Sequence, residues 1–176
     1  GNPVRLAENA GISFQGCIVL GKGFVLDPGE AQEWIAADPR NAEVLFPYLN
    51  GEDLNSRPDA SASRWVIDFN DRSEVDAATY ELPFERVLQQ VKAERAGKPK
   101  PVREAPWWLF LRPRPTMRRA IAPLPEVLVI ALVSKTVMPV RVTASQVFSH
   151  ALGVFATDDY GDQAVLSSSL HQLWAI

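Results

Sequence analysis

Arg112, Arg114, Arg118 and Arg119 crowd into one stretch, with Pro113 between the first two and Pro115 directly after them. A guanidinium donates paired hydrogen bonds in a fixed fork, which suits phosphate oxygens and the major-groove edge of guanine. Prolines restrict the unbound loop and so reduce the entropy lost on ordering it. Lys98 and Lys100 precede them in Gly97-Lys98-Pro99-Lys100-Pro101, a stiff basic linker that is expected to be extended. Its ammonium groups suit contacts to backbone phosphates. Lys135 and Arg141 continue the set downstream. The chemistry that these types imply is recognition of an anionic polymer, double-stranded DNA above all. The competing reading is a solvated helix face from Lys92 to Arg103 followed by a salt-bridged loop. Arg57 and Arg64 are ambiguous, because Asp59 and Asp68 stand close enough in sequence to pair with them. Trp107 and Trp108 suit base stacking in one reading and a hydrophobic core in the other.

The basic block stands out because the rest of the chain is acidic. Residues 1–85 hold six Lys/Arg against fifteen Asp/Glu, and residues 86–141 hold twelve against three. Residues 142–176 hold three acids and no base. The formal net charge of −3 therefore conceals a basic middle third, whose local field attracts phosphate whatever the total.

Other chemistries lack their signatures. There is no Gly-rich dinucleotide fingerprint, no phosphate-binding P-loop and no HExxH pair. The Asp/Asn-Pro-Pro-aromatic tetrapeptide of amino-methyltransferases is also missing. Cys17 is a lone cysteine, read as a small buried hydrophobe, and His150 and His171 have no further ligand at metal spacing. Glu52-Asp53 and Asp158-Asp159 read as solvated turn residues. Ser167-Ser168-Ser169 with His171 lacks the elbow and acid of a nucleophile site. The chain is expected to have no catalytic residues, cofactor or metal of its own. No apolar run approaches the roughly 20 residues of a membrane span, and the compartment is expected to be the cytoplasm.

The elements that must position these residues follow from hydrophobic period and punctuation. Phe14–Leu20 is a β-rich run, broken at Gly21-Lys22-Gly23 before Phe24-Val25-Leu26. Asp27-Pro28-Gly29-Glu30 starts a helix that Asp38-Pro39 ends. From Pro47 to Asp59 the chain reads as irregular, and the Asn50-Gly51-Glu52-Asp53 segment as a structural turn. Arg64–Phe69 alternates as a half-buried strand, with Trp65, Ile67 and Phe69 inward. Glu81–Ala96 carries Phe84, Val87, Leu88 and Val91 at helical spacing, and Gly97 closes it. Trp107–Leu111 is β-like, and Thr116 caps a short helix bearing Arg118 and Arg119. Val127–Val133 is the candidate central strand, with shorter strands at Val140–Thr143 and Gly153–Ala156 and a last helix over Asp162–Leu173. The sum is an α+β fold, mixed and mostly antiparallel, with short strands and a few helices.

Several segments carry a resemblance. They are Tyr48-Leu49-Asn50-Gly51-Glu52-Asp53-Leu54-Asn55-Ser56-Arg57-Pro58 and Ser63-Arg64-Trp65-Val66-Ile67-Asp68-Phe69. Glu94-Arg95, Trp107-Trp108 with Arg112-Pro113, and Val133-Ser134 continue in the same order. Phe155-Ala156-Thr157-Asp158-Asp159-Tyr160, Val165-Leu166-Ser167-Ser168 and His171-Gln172-Leu173-Trp174-Ala175 close the pattern. Together they resemble the target-recognition domain of MmeI-like restriction–modification enzymes, of type IIL or IIG. Those proteins join an endonuclease and an adenine-N6 methyltransferase to one DNA-reading domain. Upstream, Asn9-Ala10-Gly11-Ile12-Ser13-Phe14-Gln15-Gly16 resembles the segment that leaves the methyltransferase.

The resemblance implies that residues 1–46 connect to a methyltransferase domain lying before Gly1, and that 47–176 form a C-terminally truncated recognition domain. It places S-adenosylmethionine and Mg2+ in the parent enzyme's other domains, with those domains and double-stranded DNA as partners. Two other classes remain open. One is a docking module whose basic face meets an acidic protein; the other is a hydrolase or nuclease whose active site has no recognised motif.

Overall fold

The computed structural model describes residues 11–135 and 137–175. Gly1-Asn2-Pro3, the Asn9-Ala10 start of the first resembling segment, and Ile176 lie outside the described residues. In chain order the elements begin with β1 (Ser13–Gln15), β2 (Val25–Leu26), α1 (Pro28–Ala37), β3 (Leu45–Leu49), α2 (Gly51–Ser56) and β4 (Arg64–Ile67). Next come α3 (Glu74–Ala77), α4 (Glu81–Val87), a π turn (Leu88–Lys92), α5 (Ala93–Ala96) and α6 (Lys100–Arg103). The last are α7 (Pro115–Ile121), β5 (Glu126–Ala131), β6 (Val140–Thr143), β7 (Val147–Phe148), β8 (Leu152–Phe155), α8 (Tyr160–Leu166) and α9 (Ser169–Ala175). This is the α+β fold, with mostly antiparallel sheets, that the sequence implies.

The described chain folds as two compact units. One combines 11–16, Asn50–Ser61 and 114–175; the other combines Cys17–Leu49 and Ala62–Pro113. In the first unit the strand order is β1-β8-β5-β6, all antiparallel. The central position falls to β5, whose Val127, Leu128 and Val129 are buried. An almost continuous apolar run is what burial on both faces of a sheet demands. Leu128 pairs with Arg141 of β6 on one side and Phe155 of β8 on the other. Gly16 extends the β1–β8 edge, its N–H donating to the Leu152 carbonyl. A Cβ there would fall on the Ser149 and Phe148 carbonyl oxygens, so the site admits only glycine.

In the second unit, β4 lies between β2 and β3, antiparallel to both. That central place corrects the expectation of a half-buried strand. Val66, Ile67, Asp68 and Phe69 are all buried, and only Arg64 at the strand's start is exposed. The expected helix over 81–96 forms, with a π turn inside it. Its buried positions are Pro83, Val87, Val91 and Arg95, four residues apart. In a regular α-helix each four-residue step drifts about 40° round the axis. The wider π turn cancels much of that drift and keeps Arg95 on the inner face.

Other expectations change for identifiable local reasons. The supposedly irregular 47–59 stretch contains most of β3 and all of α2. Asn50 Oδ1 accepts from the N–H groups of Glu52 (2.8 Å) and Asp53 (3.1 Å), while Asp53 Oδ2 accepts from Asn50 N–H (3.3 Å). This reciprocal cap starts a helix where composition alone suggests a loop. The final helix breaks into α8 and α9, because Asp159 caps the first and the Ser168 hydroxyl accepts from His171 N–H at the start of the second. Among the described residues no helix is long and apolar enough to cross a membrane.

Candidate nucleic-acid interface

Each unit carries part of the basic set. In the unit built on β5, α7 holds Arg118 and Arg119. Met117 and Ile121 form the buried face of α7, Arg118 is half-buried and Arg119 is exposed. The residue that caps this helix is Arg114 rather than Thr116, and its side chain makes no capping bond. Arg114 sits in the left-handed region, at φ 57° and ψ 57°, immediately before Pro115. Its Nε donates to the Gly16 carbonyl (3.2 Å) and its Nη2 to Gln15 Oε1 (2.8 Å). Gln15 is anchored in turn, with Nε2 donating to the His150 carbonyl (2.9 Å).

Arg141 on β6 is more thoroughly occupied. Nη1 donates to the Asp158 carbonyl (2.8 Å) and lies 3.5 Å from Glu126 Oε2. Nε and Nη2 both donate to Gln163 Oε1, at 3.2 and 3.1 Å, and the guanidinium lies 4.1 Å from the Tyr160 ring centroid. Lys135 is exposed on the loop after β5, beside an open groove that it lines with Asn55, Val133 and Ser134. Asn55 Nδ2 donates to the Val133 carbonyl (3.2 Å), and the Ser134 hydroxyl donates to Asn55 Oδ1 (2.9 Å). Arg57 is exposed and folds back on its own loop: Nε donates to Ser61 Oγ (2.9 Å) and lies 4.0 Å from Asp59.

In the other unit, Arg112 holds its place through the backbone. Its N–H and carbonyl exchange bonds of 3.1 Å with Ile18, which leaves the exposed side chain available. Lys98 is exposed, and exposed Lys100 makes only a 3.8 Å surface pair with Glu104. The expected extended linker instead folds at its end into α6, with Pro99 as the cap and Pro101 in the first turn. Proline is tolerated there because those N–H groups have no helical partner. Arg64 is exposed at the start of β4.

The tryptophans join an aromatic cluster. The Trp107 ring lies 5.4 Å from Phe84 and 5.8 Å from Trp108, with Lys92 Nζ 4.8 Å above it. Trp108 Nε1 donates to the Arg72 carbonyl (3.1 Å). Trp107–Leu111 is therefore no strand. Leu109 N–H bonds back to the Pro106 carbonyl, and the buried Arg95 fork holds the turn by donating to the Pro106 and Leu109 carbonyls, each at 2.9 Å. The same fork reaches the Val19 and Leu20 carbonyls. Burial lowers the Arg95 pKa from its ordinary value, and Glu94 opposes that shift. The sequence signal for this role was only a charge at four-residue spacing behind Val87 and Val91.

Among the described residues, no three His, Cys, Asp or Glu side chains converge as metal ligands. His150 is exposed, and His171 Nδ1 meets the Leu166 carbonyl at 2.8 Å. Asp53 and Asp159, from the two carboxylate pairs, serve as helix-capping groups. The arrangement offers exposed cations on braced elements, which suits contact with phosphate.

No protein-family model matches the sequence, and no curated protein matches it. Among solved structures the chain is similar to the type IIL restriction-modification enzyme MmeI, whose structure was determined in complex with DNA. The TM-score is 0.72 at 18% sequence identity, over 93% of this chain and 21% of that one. The chain thus spans about a fifth of the length of that protein, and the likeness is one of fold.

Proposed function

We propose that this chain is the DNA target-recognition domain of a bifunctional type II restriction enzyme and adenine-N6 DNA methyltransferase. The observation that carries the reading is the fold likeness, along nearly the whole chain, to a restriction-modification enzyme determined with DNA. The exposed cations of the basic third agree with it. Lys98, Lys100, Lys135, Arg112 and Arg119 meet phosphates or base edges, while Arg114 and Arg141, occupied by acceptors of their own unit, hold the elements in place. Phosphate contacts fix register, and groove contacts from the arginine forks then select a short site. The bound duplex is thereby set so that one adenine is flipped into a methyltransferase pocket carried by another domain.

Among the described residues no group of three or more His, Cys, Asp or Glu side chains is placed to hold a metal ion. In this reading the metal and S-adenosylmethionine serve the parent's nuclease and methyltransferase domains, in the cytoplasm, and no step here passes through either. The test is anisotropy of a labelled duplex across a salt series, for the chain and for a variant with Arg112, Arg119, Lys98 and Lys100 changed to Ala. The expected result is binding that falls steeply with salt, and that the variant weakens at least tenfold at low salt. Unchanged binding by the variant, or none by the chain itself, sinks the reading. Equal retention of heparin and duplex would favour docking to an acidic protein.

A further inference from the structure

The basic stretch presents four arginines that composition treats alike, and the geometry separates them. Arg114 occupies a left-handed backbone conformation that costs an L-residue energy and persists only when its surroundings impose it. What imposes it is visible. Pro115 disfavours the right-handed helical region for the residue before it but leaves extended backbone open, so the left-handed conformation is held by the Arg114 fork, tied to Gly16 O and Gln15 Oε1 at the end of β1. Gln15 is itself locked, by pairing with Gly153 of β8 and by its amide bond to the His150 carbonyl. The start of α7 is thus braced to the sheet edge through one side chain. Two residues past the buried Met117, and so about 200° round the helix, Arg119 stands on the opposite, open face with Pro115 and Thr116, all three exposed. Resting on the reading of this chain as a DNA-recognition domain, we infer that Arg114 is a positioning residue, and that Arg119 is the arginine of this element that contacts the phosphate backbone.

Duplex binding by this same chain across a salt series tests the inference. Each phosphate contact contributes about 0.9 to the slope of log K against log salt. Arg119→Ala is expected to weaken binding about tenfold at low salt and to lower that slope by about one. Arg114→Gly keeps the left-handed conformation accessible but removes the fork. It is expected to weaken binding about threefold with the slope unchanged, because Arg119 still reaches its phosphate but only after the start of α7 is ordered on binding, and to add almost nothing in the Arg119→Ala background. Gln15→Ala, which leaves the Arg114 charge in place, is expected to reproduce the Arg114→Gly loss at unchanged slope. It also serves as the test if the glycine variant unfolds. A slope that drops by about one in Arg114→Gly, or losses that simply add with Arg119→Ala, overturns the inference while leaving the DNA-recognition reading intact. Failure of the unmutated chain to bind duplex at low salt overturns both.

Discussion

Arg95 directs its guanidinium into the interior of its unit, where it donates to the carbonyls of Val19, Leu20, Pro106 and Leu109 and lies 5.6 Å from the Phe24 ring centroid. A guanidinium keeps its proton inside proteins, and its donors lie in a rigid plane, so one side chain can join three backbone segments. Replacing it with Met of similar length leaves those carbonyls buried without a donor. Arg95→Met is expected to cost about 3–5 kcal/mol, read as a lower urea midpoint. Arg95→Lys recovers only part, because an ammonium is a point donor at the end of a flexible stem. A loss under 1 kcal/mol for Arg95→Met would show that the carbonyls find other partners. The charge of Arg95 was legible in the sequence as part of a basic block, but its inward direction was not. Its acceptors are carbonyls as far as 76 residues away, and a carbonyl has no residue type to read. The same limit hid the brace on Arg114, whose Gln15 partner is 99 residues upstream.

At the level of elements, the long periodic signals read true, and so did the Asp27-Pro28 start of α1, whereas two shorter signals misled. The Val127–Val133 run gave the central strand β5 as far as Ala131, with Leu132 and Val133 exposed beyond it, and the apolar spacing over 81–96 gave the helix, because each rests on many residues agreeing. The Trp107–Leu111 run failed because five residues of β-propensity are outweighed by one buried fork that holds a turn. The helix α2 was missed for the opposite reason: two short polar side chains outweigh a loop-like composition. That cap gives a direct test. Asn50→Ala removes the acceptor for the Glu52 and Asp53 N–H groups, and is expected to lower stability by about 1 kcal/mol. Asn50→Asp restores the acceptor and most of the stability. Because Asn55 on the same helix bonds to the Val133 carbonyl and to Ser134, amide exchange in Asn50→Ala should quicken in the loop before Lys135 as well as in α2. Exchange confined to α2 would mean that the loop holds its shape independently.

For the molecule as a whole, a formal charge of −3 tells little about how it would meet a polyanion. Twelve of its eighteen Lys/Arg lie in residues 86–141, yet the structure shows that these cations differ in what they can still give. A side chain already held by acceptors of its own unit gains little by turning to a phosphate. Arg141 is such a group, with Glu126, Asp158 and Gln163 around its fork and its side chain 13% exposed. Lys98 and Lys135 are exposed, and the Lys100 pair with Glu104 is a surface contact of the kind worth little. If the chain binds duplex DNA through its free cations, the salt slope counts those cations and not the total charge. Changing Lys98, Lys100 and Lys135 together to Ala is therefore expected to lower the slope of log K against log salt by about two to three, with the melting temperature almost unchanged. Arg141→Ala is expected to do the reverse, costing about 1–2 kcal/mol of stability and leaving the slope where it was. Both variants remove like charge from the same basic third, so equal slope changes per charge removed would mean that the field of the whole block, rather than the availability of each cation, governs association.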